Sequence, residues 1–73
     1  MPSYDLHGYT FEEAVALVDE VVGKIRMQQI EVDVKFITGK GTIRWKLMDY
    51  LKLLDVEPRF ELGNEGVIIV TVD

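Results

Sequence analysis

The stretch at residues 34–46, read VKFITGKGTIRWK, constrains the fold more than any other part of this chain. An apolar run ends in the glycine turn at residues 38–41, and Thr42 then opens a segment with the apolar spacing of a helix. A strand that stops at such a turn and continues into a helix leaves backbone N–H groups unpaired at the positive end of the helix macrodipole. This arrangement is typical of an anion site, and we expect Lys40 and Arg44 to add positive charge there.

The length and composition of the chain indicate one small domain. The chain has 73 residues and no cysteine, so neither disulfides nor a thiolate zinc site supports the fold. A hydrophobic content of 48% is sufficient for one core, and we expect a single domain over residues 1–73. No apolar run of about 18 residues is present, which argues against a membrane span. The start of the chain, MPSYDLHG, lacks the regions of a signal peptide, so we expect a cytoplasmic location.

The charges are distributed unevenly along the chain. The net charge of −5 argues against nucleic-acid binding when the chain is taken as a whole. Residues 34–54, however, hold five basic residues and one acidic residue, whereas the remainder holds three basic and twelve acidic residues. This basic segment surrounds the glycine turn and is compatible with a local phosphate site. A solvated helix face with no binding role explains the same charges equally well.

Apolar spacing and turn residues predict the element order β-α-β-α-β-β. We expect a first strand at residues 4–6, and a helix that starts from a Thr10–Glu13 capping box and fades at residues 27–29. Gly23 inside this helix points to close packing, because glycine costs up to about 1 kcal/mol there relative to alanine. The second strand is expected at residues 32–37, and the second helix after Thr42.

The last third of the chain predicts two further strands joined by a hairpin. Residues 59–62 indicate a strand at or near a sheet edge, residues 63–66 the hairpin turn, and residues 67–72 a buried strand. Right-handed crossovers place both helices on one face of a four-stranded mixed sheet if the first three strands follow a continuing path. The fold class is therefore a two-layer α/β (α+β) sandwich.

A second group of candidate site residues is Asp5-Leu6-His7. Side chains alternate along a strand, so Asp5 and His7 point the same way while Leu6 enters the core. His7 is the only histidine, and an imidazole can transfer protons near neutral pH. The end of the first strand and the turn after the second lie at the same carboxyl edge, where open α/β sheets place ligands. The sequence therefore predicts that Asp5 and His7 act on a phosphate held at the glycine turn.

Plainer interpretations of the same residues remain open at this point. His7 is equally compatible with a turn residue that has no chemical role, and Gly39 and Gly41 with a turn that needs positive φ. Three aromatic residues can either stack on nucleobases or pack within the domain: Tyr4, Tyr9 and Trp45.

Taken together, YDLHG at residues 4–8, the T-x-x-E-A helix start, and VKFITGKG before a basic helix resemble the Smr (small MutS-related) domain family. The resemblance covers nearly the whole chain. It implies a β-α-β-α-β-β sandwich similar to the C-terminal domain of bacterial translation initiation factor three. It also implies nicking or endonuclease activity on DNA or RNA, in DNA repair or RNA processing. The family occurs as stand-alone proteins and at the C-terminus of a MutS-type paralogue, so this domain can belong to a larger protein or complex.

The resemblance also assigns candidate site residues. Asp5 and His7 match the family's acid and histidine, which implies that they are catalytic. Thr38 stands where many members have histidine, so a second imidazole is absent. The resemblance and the turn together give these phosphate or nucleic-acid contacts: Thr38, Gly39, Lys40, Gly41, Thr42 and Arg44. No cofactor is certain from the sequence, and a divalent cation (Mg²⁺ or Mn²⁺) stays open because carboxylates can hold one.

The sequence is compatible with three functions. The first is an Smr-type phosphodiesterase, in which His7 is the general acid or base and Asp5 orients it or binds a metal-bound water. The second is a non-catalytic nucleic-acid or ribonucleoprotein binding module that uses the same edge. The third is a protein-interaction domain whose acidic first helix faces a basic partner through Glu12, Asp19 and Glu20. The resemblance favours the first, and the sequence leaves the substrate and the oligomeric state open.

Overall fold

Two helices pack on one face of a four-stranded mixed sheet in the computed structural model, which describes residues 1–73. The elements are β1 (Ser3–Asp5), α1 (Phe11–Met27), β2 (Val32–Ile37), α2 (Ile43–Leu53), β3 (Arg59–Glu61) and β4 (Asn64–Val72). The predicted fold class and element order are confirmed. Neither helix has the length and apolar character needed to cross a membrane.

The strands are arranged in the order β1-β2-β4-β3. β1 and β2 are parallel, and β4 is antiparallel to both of its neighbours. The first three strands follow one direction across the sheet, as expected, and β4 is inserted between β2 and β3. The β-branched run at the end of β4 suits this central position, where a strand is covered by neighbours on both sides. β3 lies at the sheet edge, as Pro58 beside it predicts.

The hairpin between β3 and β4 is tighter than the sequence indicates. Glu61 pairs with Asn64, so Leu62 and Gly63 form the whole connection, and Gly63 supplies the positive φ of 79°. The predicted turn at residues 63–66 is therefore wrong, and β4 begins at Asn64 rather than at residue 67. Because β4 starts earlier, its first residues reach the glycine turn that follows β2. This extension shapes the candidate site described below.

The core lies between the helices and the covered face of the sheet. α1 begins with the predicted capping box: the Glu13 N–H donates to the Thr10 hydroxyl at 3.2 Å, and the Glu13 carboxylate accepts from the Thr10 N–H at 2.9 Å. Tyr4 stacks on Phe36 with ring centroids 5.8 Å apart, so Tyr4 is a packing residue. The largest fully buried side chains are Phe36, Leu6, Leu47, Leu51, Ile68, Val18, Val34, Val56, Val70 and Val72.

A hydrogen bond and an aromatic contact join the two helices. The Tyr50 hydroxyl donates to the Asp19 carboxylate at 2.5 Å, and the Phe11 and Tyr50 rings meet edge to face with centroids 6.4 Å apart. The hydrogen bond to Asp19, with some burial and the carboxylate charge, raises the pKa of Tyr50 above 10.0. Stability from this bond is therefore complete below pH 10 and is lost only as the pH rises through the raised pKa.

Gly23 is the one glycine inside a helix, and the expected close packing around it is wrong. Gly23 is exposed, and a Cβ placed there would meet nothing within 4 Å. We expect Gly23→Ala to raise the free energy of unfolding by roughly 0.5–1 kcal/mol, because alanine loses less backbone entropy in a helix. Urea denaturation of the two proteins measures this difference. An equal or lower stability of the variant would contradict the interpretation of Gly23 as an unpacked position.

Candidate functional site

The carboxyl edge of β1 and β2 brings the two sequence motifs together. Leu6 is fully buried directly after β1, and His7 follows it in an exposed turn. Gly39 has a φ of 74°, and a Cβ placed on it would lie 3.5 Å from Cδ2 of His7. The imidazole therefore lies beside the glycine turn, although the two motifs are separated by a helix and a strand in the sequence. A side chain at residue 39 would be both strained and in contact with His7.

Asp5 contacts the backbone of His7. Its Oδ1 accepts a hydrogen bond from the His7 N–H at 2.9 Å, and no hydrogen bond joins the Asp5 carboxylate to the imidazole. An aspartate that bonds the N–H two residues ahead stabilises a turn. In this structure Asp5 holds the turn that carries His7, and it does not orient the ring directly as the sequence led us to expect.

The start of α2 has an uninterrupted set of free donors. The backbone N–H groups of residues 40–44 make no hydrogen bond within the protein. Thr42 precedes the helix with helical φ and ψ, and its hydroxyl caps no N–H group. Lys40, Gly41 and Thr42 are exposed, so these donors are accessible from solvent. The prediction of unpaired N–H groups is confirmed for residues 40–44, and such groups at the positive end of a helix macrodipole are typical of anion sites.

Thr38 and Gly39 have a different role from the one expected. Their N–H groups both donate to the Gly66 carbonyl, at 2.8 Å and 3.1 Å. The Thr38 hydroxyl is buried and lies 2.9 Å from the Gly39 carbonyl and 3.2 Å from that of Gly66. The expectation that every N–H of the turn is unpaired is therefore wrong for these two residues. They fasten the turn to β4, because β4 begins early enough to reach it.

Gly66 belongs to the site, although sequence reasoning placed it only in the hairpin turn. A Cβ on Gly66 would lie 3.2 Å from the carbonyl carbon of Gly39 and 3.3 Å from its Cα. Two glycines thus let the backbones of the turn and of β4 approach closely. A glycine inside a strand often marks such a close approach of two backbones, so the sequence did contain a signal for the role of Gly66.

Arg44 is held against the hairpin. Its Nη1 lies 3.4 Å from both the carbonyl oxygen and the Oε2 atom of Glu65, and its side chain is 15% exposed. The guanidinium also lies over the Trp45 ring, 4.9 Å from the ring centroid. Nε is buried without a hydrogen-bond partner, and Nη2 makes no hydrogen bond within the protein. The Arg44 side chain is thus held in one position, its charge is partly balanced by Glu65, and it does not extend freely into solvent.

The remaining charges of the basic segment are separated by the fold. Lys35 forms an ion pair with Glu61 across the uncovered face of the sheet, at 2.5 Å, and Lys52 lies in the last turn of α2. Only Lys40, Arg44 and Lys46 therefore belong to the turn and the first half of α2. The positive charge near the candidate site is smaller than the count along the sequence implies.

The acidic surface of α1 is also partly balanced. Glu20 forms an ion pair with Lys24 at 3.1 Å, and the Asp19 carboxylate accepts a hydrogen bond from the Tyr50 hydroxyl. Of the three acidic residues considered for a basic partner, these two already have contacts within the domain. The surface is less strongly acidic than the sequence alone indicates.

The residues of the site do not build a metal centre. No group of three or more His, Asp or Glu side chains is placed to hold an ion. Asp5 supplies the carboxylate beside His7, and one of its oxygens is already occupied by the His7 N–H. The side chains present do not fit a protein-held Mg²⁺ or Mn²⁺ ion.

The fold and the exposed edge define a small α+β domain with an anion-favouring helix start beside a histidine. The Smr domain family model matches residues 4–73, so the chain belongs to the Smr domain family, which is known for nucleic-acid binding and nicking nuclease activity. The crystal structure of the Smr domain of Thermus thermophilus MutS2 is similar to this chain. It has a TM-score of 0.85 and 26% sequence identity, over 100% of this chain and 99% of that one. The search of curated proteins found no match. The predicted family is confirmed.

Proposed function

We propose that this chain is a nucleic-acid phosphodiesterase that acts at the edge formed by His7 and residues 39–44. One observation carries the proposal: His7 lies against Gly39, directly beside five consecutive N–H groups that have no partner in the protein. This places a group that can transfer protons next to a group of donors that favours phosphate. Membership of the Smr family supports nucleic acid as the source of that phosphate.

The turn would bind the phosphate largely through its backbone. The N–H groups of Ile43 and Arg44 are fixed in direction by α2, and those of residues 40–42 belong to the turn that leads into it. The Thr42 hydroxyl, which caps no helix N–H, is free to donate to a phosphate oxygen. Lys40 and Nη2 of Arg44 add positive charge and two further donor positions. These donors would also stabilise the additional negative charge of a five-coordinate phosphorus in the transition state.

His7 would supply proton transfer. On RNA, the neutral imidazole would take the proton of the 2′-hydroxyl, whose oxygen then attacks the adjacent phosphorus. The bond from phosphorus to the 5′-oxygen breaks, and that oxygen takes up a proton from the imidazolium or from water. The products are a 2′,3′-cyclic phosphate and a 5′-hydroxyl. On DNA the imidazole would instead take a proton from a water whose oxygen attacks phosphorus; the bond to the 3′- or the 5′-oxygen then breaks, and that oxygen takes up a proton from the imidazolium or from water. Asp5 contributes by holding the turn that positions His7.

The proposal is tested by incubating the wild-type chain with end-labelled single-stranded RNA and with supercoiled plasmid. Each reaction is run with Mg²⁺, with Mn²⁺ and with a chelator. A ladder of RNA products or a relaxed plasmid supports the phosphodiesterase, and the end groups of the products identify the attacking oxygen. Absence of product in every reaction, at protein concentrations where the substrate is bound, would contradict the proposal.

A non-catalytic binding module is the second candidate, and one observation favours it. The Asp5 carboxylate bonds the backbone rather than the imidazole, so His7 lacks the partner that commonly raises the basicity of a catalytic histidine. This function uses the same edge and the same phosphate contacts. It predicts salt-dependent binding of nucleic acid, with no product and no effect of His7→Ala on affinity.

Both candidates share a prediction for Lys40. We expect Lys40→Ala to weaken binding to all sequences by a similar factor and to reduce the slope of log affinity against log salt by about 1. The physical reason is that one phosphate contact, with its released counterion, is lost. Fluorescence anisotropy with a labelled oligonucleotide over a range of salt concentrations measures both quantities. Lys52→Ala, at the far end of α2, is the matched control, and equal effects of the two substitutions would count against a phosphate site at the turn.

A further inference from the structure

Trp45 is a large aromatic side chain that is held in place but not buried. It lies in the first turn of α2 and is 52% exposed. Its ring meets Phe60 edge to face with centroids 5.2 Å apart, and the Arg44 guanidinium lies over it at 4.9 Å. These contacts fix the indole while leaving about half of its surface in water. Because the guanidinium covers one face of the indole, a base would stack on the opposite face.

Trp45 also differs from Tyr4, another of the aromatic candidates. Tyr4 is stacked on Phe36 and half-buried, which removes it from a role in binding. Trp45 instead belongs to the same helical turn as the unpaired N–H groups, directly after Arg44. The indole is therefore carried by the residue that directly follows the last of the unpaired N–H groups.

We propose that Trp45 forms a subsite for an unpaired nucleobase, which stacks on the indole while a neighbouring phosphate is held by residues 40–44. This inference rests on the proposed function and adds the form of the nucleic acid that the site accepts. Arg44 contributes by fixing the ring from the face opposite the stacked base.

The position of Trp45 indicates which nucleotide the subsite takes. His7 follows β1, whereas Phe60, the partner of the indole, lies in β3 at the opposite edge of the sheet. The strands at the two edges are three spacings apart in the order β1-β2-β4-β3, or roughly 14 Å. The stacked base therefore belongs to a different nucleotide from the one that faces His7. A substrate strand would cross the edge from His7 to Trp45.

This arrangement favours unpaired nucleic acid over duplex. A base inside a duplex is stacked on its neighbours on both faces, and only an unpaired base can present a free face to a side chain. We expect single strands, loops or frayed ends to bind more tightly than a fully paired duplex of the same length.

Trp45 is the only tryptophan, so its fluorescence reports the subsite directly. The wild-type chain is titrated with oligothymidylate, with oligouridylate and with an abasic oligomer of equal length, while anisotropy of a labelled oligomer reports binding independently. The oligomers with bases are expected to quench the indole emission, and the abasic oligomer is not. Trp45→Ala is expected to weaken binding of the oligomers with bases by roughly 5- to 150-fold, with little change for the abasic oligomer. Trp45→Phe is expected to retain most of the affinity.

The matched control is Leu53→Ala, which removes another exposed apolar side chain of α2 (81% exposed) and is expected to leave binding unchanged. Circular dichroism tests whether each variant is folded. If Trp45→Ala does not fold, the quenching of the wild-type chain and the affinity of Trp45→Phe test the subsite instead. Binding without quenching, together with equal affinity for abasic oligomers and oligomers with bases, would overturn the subsite and leave the proposed function standing. No binding of any oligomer at low salt would overturn the proposed function, and the subsite with it.

Discussion

His7→Ala is expected to lower the rate of phosphodiester cleavage by roughly 100- to 10,000-fold, the usual contribution of a general acid or base. The loss should appear without unfolding, because His7 is exposed in a turn and its ring lies beside Gly39, outside the core. Cleavage by the two proteins is measured side by side on the substrate that the wild type cuts best. Urea denaturation of both proteins establishes that their stabilities are similar.

Two further measurements separate chemistry from structure at this position. Added imidazole should restore part of the activity of His7→Ala if the ring acts by proton transfer. Asp5→Asn keeps an oxygen that can accept the His7 N–H, so it should cost less activity than Asp5→Ala, which loses the turn contact. Cleavage by His7→Ala at the wild-type rate would show that the imidazole takes no part in the reaction.

Gly66→Val is expected to lower the free energy of unfolding by about 1–3 kcal/mol, the usual cost of overpacking. A Cβ on Gly66 would lie 3.2 Å from the Gly39 carbonyl carbon, and backbone cannot move aside as a flexible side chain can. The added methyl groups of valine increase the overlap. The turn is fastened to β4 by the N–H groups of Thr38 and Gly39, so it should shift with the substitution and lose affinity for phosphate.

Urea denaturation measures the loss of stability in Gly66→Val, and anisotropy of a labelled oligonucleotide measures the loss of affinity. Gly23→Ala is the matched control, because the same kind of addition there meets open space. The two substitutions should change stability in opposite directions. Wild-type stability and affinity in Gly66→Val would contradict the close approach of the turn and β4.

Much of the fold could be predicted because it depends on local patterns. The capping box at Thr10 and the apolar spacing of α1 and α2 give the helices, and alternating or β-branched runs give the strands. The place of β4 between β2 and β3 could not be predicted in this way, since it depends on pairing between distant strands. The hairpin was misplaced for a related reason: Asn64, Glu65 and Gly66 resemble a turn, but Gly63 alone supplies the positive φ.

The candidate site could likewise be predicted only in part. Parallel pairing of β1 and β2 places His7 beside the glycine turn, and this follows from topology alone. The hydrogen bonds of Thr38 and Gly39 to Gly66, and of Arg44 to Glu65, did not follow. They join residues more than twenty positions apart and exist because β4 starts at Asn64. The contact of Asp5 with the backbone of His7 is local, but it did not follow from the sequence either. An aspartate two residues before a histidine can bond its backbone N–H or its ring, and the spacing is the same in both cases.

The most direct test of the central claim is a titration of the ¹⁵N-labelled chain with a short single-stranded oligonucleotide, followed by amide chemical shifts. Residues 40–44 have the free N–H groups, and we expect the largest shifts there and at His7, Gly8 and Trp45. The amides of the second half of α1 should barely move. Large shifts on the uncovered face of the sheet, with the turn unaffected, would show that nucleic acid binds elsewhere and would contradict the account.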